Sequence, residues 1–572
     1  MQRHEIDAAI VLMSAAVHAG STAWISRFEK PLAGAAQGAL AGLTFAAKDN
    51  IDVAGLSTTA GCAAFAYQPA AHSMVAQKLL NAGASVVGKT NLDQFACGLN
   101  GTRSPYGAVP NAFNTDYVSG GSSSGSAYVV ATGQVDFALG TDTAGSGRLP
   151  AGLNNIVGIK PSKGLISTRG VVPAAQSVDC VSIFARTVAM AVCVLEVALG
   201  HDPLDPYSRA LTLANEPFPA KFRFGVPQPL TYFDDDLSES AFTHAIEKLE
   251  ALGGTAVTID YAPLAGAGSL LYESALVAER YAAVRNFFDR NESEVVEPVR
   301  SILREGRNYS AADVYDAQTR LHALGQQAEA MWKKIDVLLV PTAPTHYTIK
   351  AMQSDPIALN RNLGAYSSFV NLLDYAAISV PSSLRADGLP FGITLIGQCG
   401  SDWQLADLGQ RYHQATGLTQ GATGEPLPGP VPVKALKPAA TVKVAVVGAH
   451  LSGMPLNSQL TERNAKLLIQ TETAPDYRFY ALPGTVPPKP GLLHVAAGAG
   501  ARIAVEIWEM PTTQFGSFVA LIPAPLGIGT VTLVDGSSVQ GFLCEHYAVD
   551  GATDISQQGG WRAYIASLKV TT

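Results

Sequence analysis

Residues 120–150, GGSSSGSAYVVATGQVDFALGTDTAGSGRLP, constrain the fold of this chain more than any other stretch. Two clusters of small residues, 120–126 and 140–147, are each built around a serine, and the apolar stretch 127–138 between them can cross a core and return. Small residues let backbone N–H groups come close to a ligand. Consecutive N–H groups ahead of a serine can form the preorganised donors that stabilise a tetrahedral intermediate. A serine nucleophile also needs a base, because a neutral hydroxyl is weak. No histidine lies between His72 and His201, so a sequence-local Ser–His pair is unavailable and a lysine is the next candidate. Lys48 closes the apolar run Leu43-Thr44-Phe45-Ala46-Ala47, the pattern of a buried strand end. Burial disfavours the ammonium and lowers a lysine's pKa, which would let Lys48 accept a proton. A single Gly/Ser cluster reads as a flexible loop. Two of them with an upstream lysine at an apolar strand end point instead to a hydrolytic site.

These residues resemble the amidase signature family, hydrolases with a Ser–cis-Ser–Lys triad. The family pattern of a lysine strand, a GGSSGGS-like cluster and GTDxGGSxRxPA is matched almost throughout. The resemblance implies that Ser146 is the nucleophile, Ser122 the bridging serine after a cis Gly121–Ser122 peptide, and Lys48 the terminal base. It further implies an oxyanion hole from the N–H groups of Thr143, Ala144, Gly145 and Ser146, with Asp142 and Arg148 as structural polar residues around the loop. Ser124 and Ala144 stand where the family has glycines, a departure that leaves the chemistry in place and narrows the pocket. The implied fold is α/β: an amidase signature fold with a central mixed β-sheet covered by helices, plus a smaller α+β cyclotransferase-like carboxyl-terminal domain.

Composition fits that frame. Hydrophobic residues make up 47% of the 572 and charged residues 15%, enough apolar content for a large core. A net charge of −8 argues against a general nucleic-acid surface. The six cysteines are widely spaced with no CxxC pair, which favours reduced thiols in a cytoplasmic protein over a disulfide frame or a zinc site. No metal and no cofactor is expected. No apolar run reaches the roughly 18 residues of a membrane span. Residues 8–17 superficially resemble a signal segment, but Glu5 and Asp7 precede them, so an amphipathic first helix is the better reading.

Along the chain, residues 1–32 read as a helix and a leading loop, 41–49 as a strand ending on Lys48, 73–82 as a helix and 85–88 as a short buried strand. Later strands are expected near 178, at 222–227, 336–344 and 389–397, with helices after 185 and at 238–252. This alternation indicates α/β architecture. Arg103, in a turn-rich stretch, suits either the cleft or a loop-pinning role. The expected domains are 1–420, a Pro/Gly-rich linker 421–440 and a second domain 441–572, with strands at 441–448, 501–510, 516–522 and 529–534 and a final helix at Trp561. Residues 83–90 fit the bare phosphate-loop pattern GxxxxGK[ST]. That motif needs a loop between strand and helix, whereas 85–87 read as the strand itself.

The remaining question is which amide. On one helix Tyr272 and Arg280 would be about 80° apart in projection and two turns apart, able to face one cleft as a carboxylate clamp. From spacing alone, a surface arginine and a core tyrosine fit as well. The Tyr/Arg segment, NLDQFACGLNGTRSPYG and the extra carboxyl-terminal domain resemble the allophanate hydrolase branch of the family. That resemblance implies allophanate as substrate, Tyr272 and Arg280 on its carboxylate, and a backbone contact from Gly98. It names a urea carboxylase as candidate partner and a homodimer as the expected assembly, without nucleic acid or membrane. The carboxyl-terminal domain would process N-carboxycarbamate to carbon dioxide and ammonia, with His450 the foremost residue and His494 and Glu506 weaker ones. Two rivals stay open: a tRNA-dependent amidotransferase subunit or broad amidase, and a carboxyl-terminal half that serves only in docking.

Overall fold

Eleven strands of a computed structural model, which describes residues 22–437, 440–484 and 488–570, form one mixed sheet. In chain order they are β1 (Trp24–Leu32), β2 (Thr44–Lys48), β3 (Ser85–Thr90), β4 (Phe137–Asp142), β5 (Val157–Lys160), β6 (Cys180–Ala185), β7 (Phe222–Gln228), β8 (Gly254–Asp260), β9 (Val337–Pro341), β10 (Ala376–Leu384) and β11 (Pro390–Gly397). Their order across the sheet is β1-β3-β2-β4-β6-β5-β10-β11-β9-β7-β8. The central strands are apolar and buried on both faces, as strands covered by helices must be; Phe45 of β2 and Phe137 of β4 stack at 5.3 Å in the core between them. Strand β2 runs parallel to both β3 and β4, while β4 pairs antiparallel with β6.

Helices cover the sheet where apolar residues recur at helical spacing. In α1 (Met74–Asn81) Val75, Ala76, Leu79 and Leu80 are buried, and the Ser73 side chain caps the first turn by accepting from the Ala76 N–H. Two short helices, α2 (Ser124–Ala131) and α3 (Leu149–Leu153), follow the two serine clusters directly. Farther along, α4 (Ala262–Glu273) and α5 (Ala278–Asn291) are separated by an extended Ser274 and a 3₁₀ turn, Ala275–Val277.

The structure differs from the sequence reading in two places of this unit. Residues 1–21, including most of the expected first helix, lie outside the described residues, and Trp24–Leu32 is the edge strand β1. Its Pro31 suits an edge, where one N–H has no ladder partner to lose. Residues 421–437, expected as the first part of a free linker, pack on this unit. Asn155 Nδ2 donates to the Gly421 carbonyl at 2.9 Å, Gln410 Nε2 donates to the Val431 carbonyl at 2.8 Å, and Val433 is buried in the core. The chain divides by its contacts into units Met1–Lys437 and Pro438–Thr572.

The second unit has a five-stranded sheet in the order β13-β16-β12-β18-β17 and a three-stranded sheet β15-β14-β19. These strands are β12 (Thr441–Val446), β13 (Lys466–Glu472), β14 (Tyr477–Ala481), β15 (Pro490–His494), β16 (Ala504–Pro511), β17 (Leu526–Thr532), β18 (Ser538–Cys544) and β19 (Thr553–Asp554). Residues 516–522 are not the expected strand, since α6 (Thr512–Val519) occupies that place, with Phe518 buried against the sheet. A helix does begin at Trp561 (α7, Trp561–Val570). Among the described residues no helix is long and apolar enough to cross a membrane.

Candidate active site

Lys48 ends β2, and Asp142 ends β4 beside it. Because the two strands are parallel neighbours, both deliver side chains to the carboxyl end of the sheet, where open α/β folds hold ligands. Ser122 sits in the turn before α2, and Ser146 in the loop between β4 and α3. The three side chains meet. Lys48 Nζ is 2.8 Å from Ser122 Oγ, and Ser122 Oγ is 2.9 Å from Ser146 Oγ. Lys48 Nζ also donates to Thr141 Oγ1 at 2.7 Å. The Gly121–Ser122 peptide is cis. Lys48 is fully buried, and desolvation pulls its amine down to about 7 against the opposing pull of Asp93, Asp179 and Asp142. A neutral amine in line with two hydroxyls is a proton relay ending on Ser146.

The loop carrying Ser146 is held by a buried ion pair. Arg148 Nε and Nη2 donate to the two oxygens of Asp142 at 2.9 and 3.0 Å, and Nη2 also reaches Asn371 Oδ1 at 3.0 Å. Burial raises the Asp142 pKa, but Arg148 and the hydrogen bonds outweigh it and hold the carboxyl below its usual range. Asp142 Oδ1 also accepts the Gly145 N–H at 2.9 Å, and Oδ2 accepts the Gly147 N–H at 2.9 Å. The Gly145 N–H, expected as an oxyanion donor, is therefore already occupied, because the carboxylate lies inside the turn. Gly145 has φ of +136°, and a Cβ there would collide with the Ser367 side chain, so only glycine fits. Opposite the loop, the Gly98 carbonyl lies 3.4 Å from Ser146 Oγ.

Tyr272 and Arg280 do meet, but not as two positions on one helix. A continuous helix would put them about 12 Å apart along the axis. The break at Ser274 folds α5 back, so that Arg280 Nη2 donates to Tyr272 Oη at 3.0 Å and the guanidinium lies 4.8 Å from the ring centroid. Arg280 is 2% exposed, and its Nε and Nη1 have no hydrogen-bond partner. An arginine is one of the costliest groups to bury without an acceptor, so these two donors mark a place for an anion.

Sequence reasoning missed several residues of this neighbourhood. Asp93 accepts the N–H groups of Asn100, Gly101 and Arg103. Thr141 holds the lysine, as above. Asp179 accepts from Thr143 Oγ1 at 2.5 Å and from the Ala174 N–H at 2.8 Å. Burial raises Asp179 to about 6 despite these hydrogen bonds and the nearby Arg280. A lone acid at the head of the apolar run 180–185 was the available signal. Arg103 pins loops: its side chain donates to the carbonyls of Cys97 and Pro356. Cys97 is buried. In the phosphate-loop match, residues 85–90 form β3, and Lys89 is buried in an ion pair with Asp49 at 3.3 Å.

His450 belongs to the second unit, where it lines a pocket with Gln459, Lys489, Pro490, Leu526 and Phe542. Its Nε2 is 2.9 Å from Gln459 Oε1, and its ring stacks on Phe542 at 5.0 Å. Burial, reinforced by the Lys489 charge, holds the imidazole below its ordinary range against the Gln459 hydrogen bond. His494, at the end of β15, sits edge-on to Tyr477. Glu506 is held by the Ser452 N–H at 2.7 Å and by Arg562 at 2.9 Å, a satisfied structural carboxylate.

Comparison with known proteins agrees with this geometry. The Amidase family profile matches residues 4–406, and the allophanate hydrolase C-terminal domain profile matches 442–566. The chain is 43% identical over 545 residues to the urea amidolyase of Saccharomyces cerevisiae, covering 93% of this chain and 30% of that protein. It is 34% identical to the amidase-type chain of the glutamyl-tRNA(Gln) amidotransferase of Synechococcus sp. (strain RCC307), over 68% of this chain and 87% of that one. The chain thus spans about 30% of the length of the urea amidolyases it matches. Among solved structures, the allophanate hydrolase of Kluyveromyces lactis superposes with a TM-score of 0.75 at 42% identity, over 96% of this chain and 94% of that one. The chain belongs to the amidase family, as an amidohydrolase whose amidase part is followed by an allophanate hydrolase C-terminal domain.

Proposed function

We propose that this protein hydrolyses allophanate to ammonia and N-carboxycarbamate through an acyl-enzyme on Ser146. The observation that carries the substrate is the buried Arg280 with two unpartnered donors beside Tyr272. Allophanate has a carboxylate at one end to accept them and a scissile amide at the other. Thr141 takes one N–H of neutral Lys48 and so turns the amine lone pair towards Ser122. The Ser146 proton passes to Ser122 Oγ as the Ser122 proton passes to Lys48, and Ser146 Oγ attacks the terminal amide carbon. With Gly145 engaged by Asp142, the N–H groups of Thr143, Ala144 and Ser146 are the donors left for the oxyanion. Collapse expels ammonia with the proton returned along the relay, and water activated the same way releases the product.

The second unit would process N-carboxycarbamate further, with His450 as its proton-handling group. Its pocket and the depressed imidazole support this reading over a docking role. The reading as part of a tRNA-dependent amidotransferase gives that unit no task. A urea carboxylase would supply the substrate, and the working assembly would be a homodimer in the cytoplasm. The test is ammonia release from allophanate, malonamate, urea and simple neutral amides. Preference for the two carboxylated amides supports the proposal, and equal rates on neutral amides reject it.

A further inference from the structure

The turn 174–179 lies between the two ends of the proposed substrate. Its Asp179 carboxylate accepts from Thr143 Oγ1 at 2.5 Å and from the Ala174 and Ala175 N–H groups at 2.8 and 3.2 Å. Thr143 belongs to the loop that ends on Ser146. The turn itself is fastened to the helix that carries Arg280, because Ser177 donates its N–H and its hydroxyl to Glu279, each at 2.7 Å. A third tie comes from Asn371 Nδ2, which donates to the carbonyls of Asp142 and Val178 at 2.7 and 3.0 Å. Asp142 and Arg148 hold the nucleophile loop from inside its turn; Asp179 holds the Thr143 side chain from the turn beyond it.

We propose that Asp179 is a positioning residue for amide hydrolysis, fixing through Thr143 Oγ1 the backbone donors that face the developing oxyanion. Preorganised donors act only while they need no rearrangement in the transition state. A displacement of about 1 Å far from the chemistry can cost around a hundredfold in rate. Asp179→Asn keeps the size of the side chain and presents a weaker acceptor to Thr143. Thr143→Val keeps the shape and removes the hydroxyl. Because Asp179 and Thr143 act as one unit, the two losses must be non-additive.

The inference rests on Ser146 being the nucleophile, and it holds for any amide the enzyme turns over. The experiment therefore measures kcat and KM on allophanate and on neutral malonamide, per active site titrated with a fluorophosphonate that labels the reactive serine. Melting temperature is recorded alongside. Asp179→Asn and Thr143→Val should each lower kcat per titrated site about 10–100-fold on both amides, with KM within about threefold, and the double variant should be no slower than the slower single one. A purely structural role would lower the titratable fraction and leave the rate per site unchanged. A rate per titrated site within twofold of wild type in Asp179→Asn, or fully additive losses, overturns the proposal. Failure of the substrate reading would show differently, as wild-type protein that turns over malonamide and not allophanate.

Discussion

Replacing Arg280 by alanine separates recognition from chemistry. Two guanidinium donors, Nε and Nη1, are buried without partners. A carboxylate filling that place would make two charge-assisted hydrogen bonds worth about 1.5–3 kcal/mol each. Together they give about 3–6 kcal/mol, or roughly 10²–10⁴-fold in kcat/KM for allophanate at about 1.4 kcal/mol per tenfold. Malonamide has no carboxylate, so its kcat/KM should change by only a few-fold. The fold should survive, because the substitution removes a buried cation without a counter-ion contact and loses in exchange one bond to Tyr272 and a cation–π contact of about 0.5–2 kcal/mol. Steady-state ammonia release on both amides, with a thermal melt, checks all three expectations. Equal losses on allophanate and malonamide at an unchanged melting temperature would refute the clamp.

Further perturbations address other parts of the site. Lys48 must be neutral to accept a proton, and burial brings its amine to about 7; kcat/KM on malonamide should therefore fall about tenfold per pH unit below roughly pH 7 and level off above it, and a flat profile from pH 5 to 9 would contradict this. The same depressed pKa means that the unfolded chain binds the extra proton between about 7 and the ordinary lysine value, so this group's contribution to stability rises with pH through that window. Asp142→Ala would leave Arg148 buried with its carboxylate removed, at a cost of about 3–5 kcal/mol, which denaturant unfolding would read; a loss below about 1 kcal/mol contradicts the bracing role. His450→Ala should reduce ammonia from two to one per allophanate without slowing the first release. Unchanged stoichiometry would assign the second unit to docking.

How much of this could be read from the residues depended on whether a feature was local. Lys48, Ser122 and Ser146 were legible because each lies in its own stretch of small or apolar residues, and they meet as a relay. The Tyr272–Arg280 contact was anticipated for the wrong geometric reason, since the helix break at Ser274 brings them together. Residues 516–522 misled because Phe518-Val519-Ala520-Leu521-Ile522 is a short apolar run, which periodicity alone cannot assign; Phe515, Phe518 and Val519 stand at helical spacing and α6 follows that spacing. Asp93 and Asp179 were invisible for a different reason. Each acts through backbone N–H groups and a hydroxyl brought near by the fold, and their neighbours in sequence carry no matching signal. The packing of 421–437 on the first unit was hidden by its Pro/Gly content, which describes a chain without saying what it lies against.

The central claim is that a neutral lysine drives Ser146, through Ser122, into covalent attack on an amide. Its most direct test is the intact mass of protein quenched during turnover of malonamide, followed by peptide mapping. The account predicts a transient acyl adduct on the peptide containing Ser146, absent together with ammonia release in a folded Ser146→Ala variant. An adduct on another residue, or continued turnover in Ser146→Ala, would contradict it.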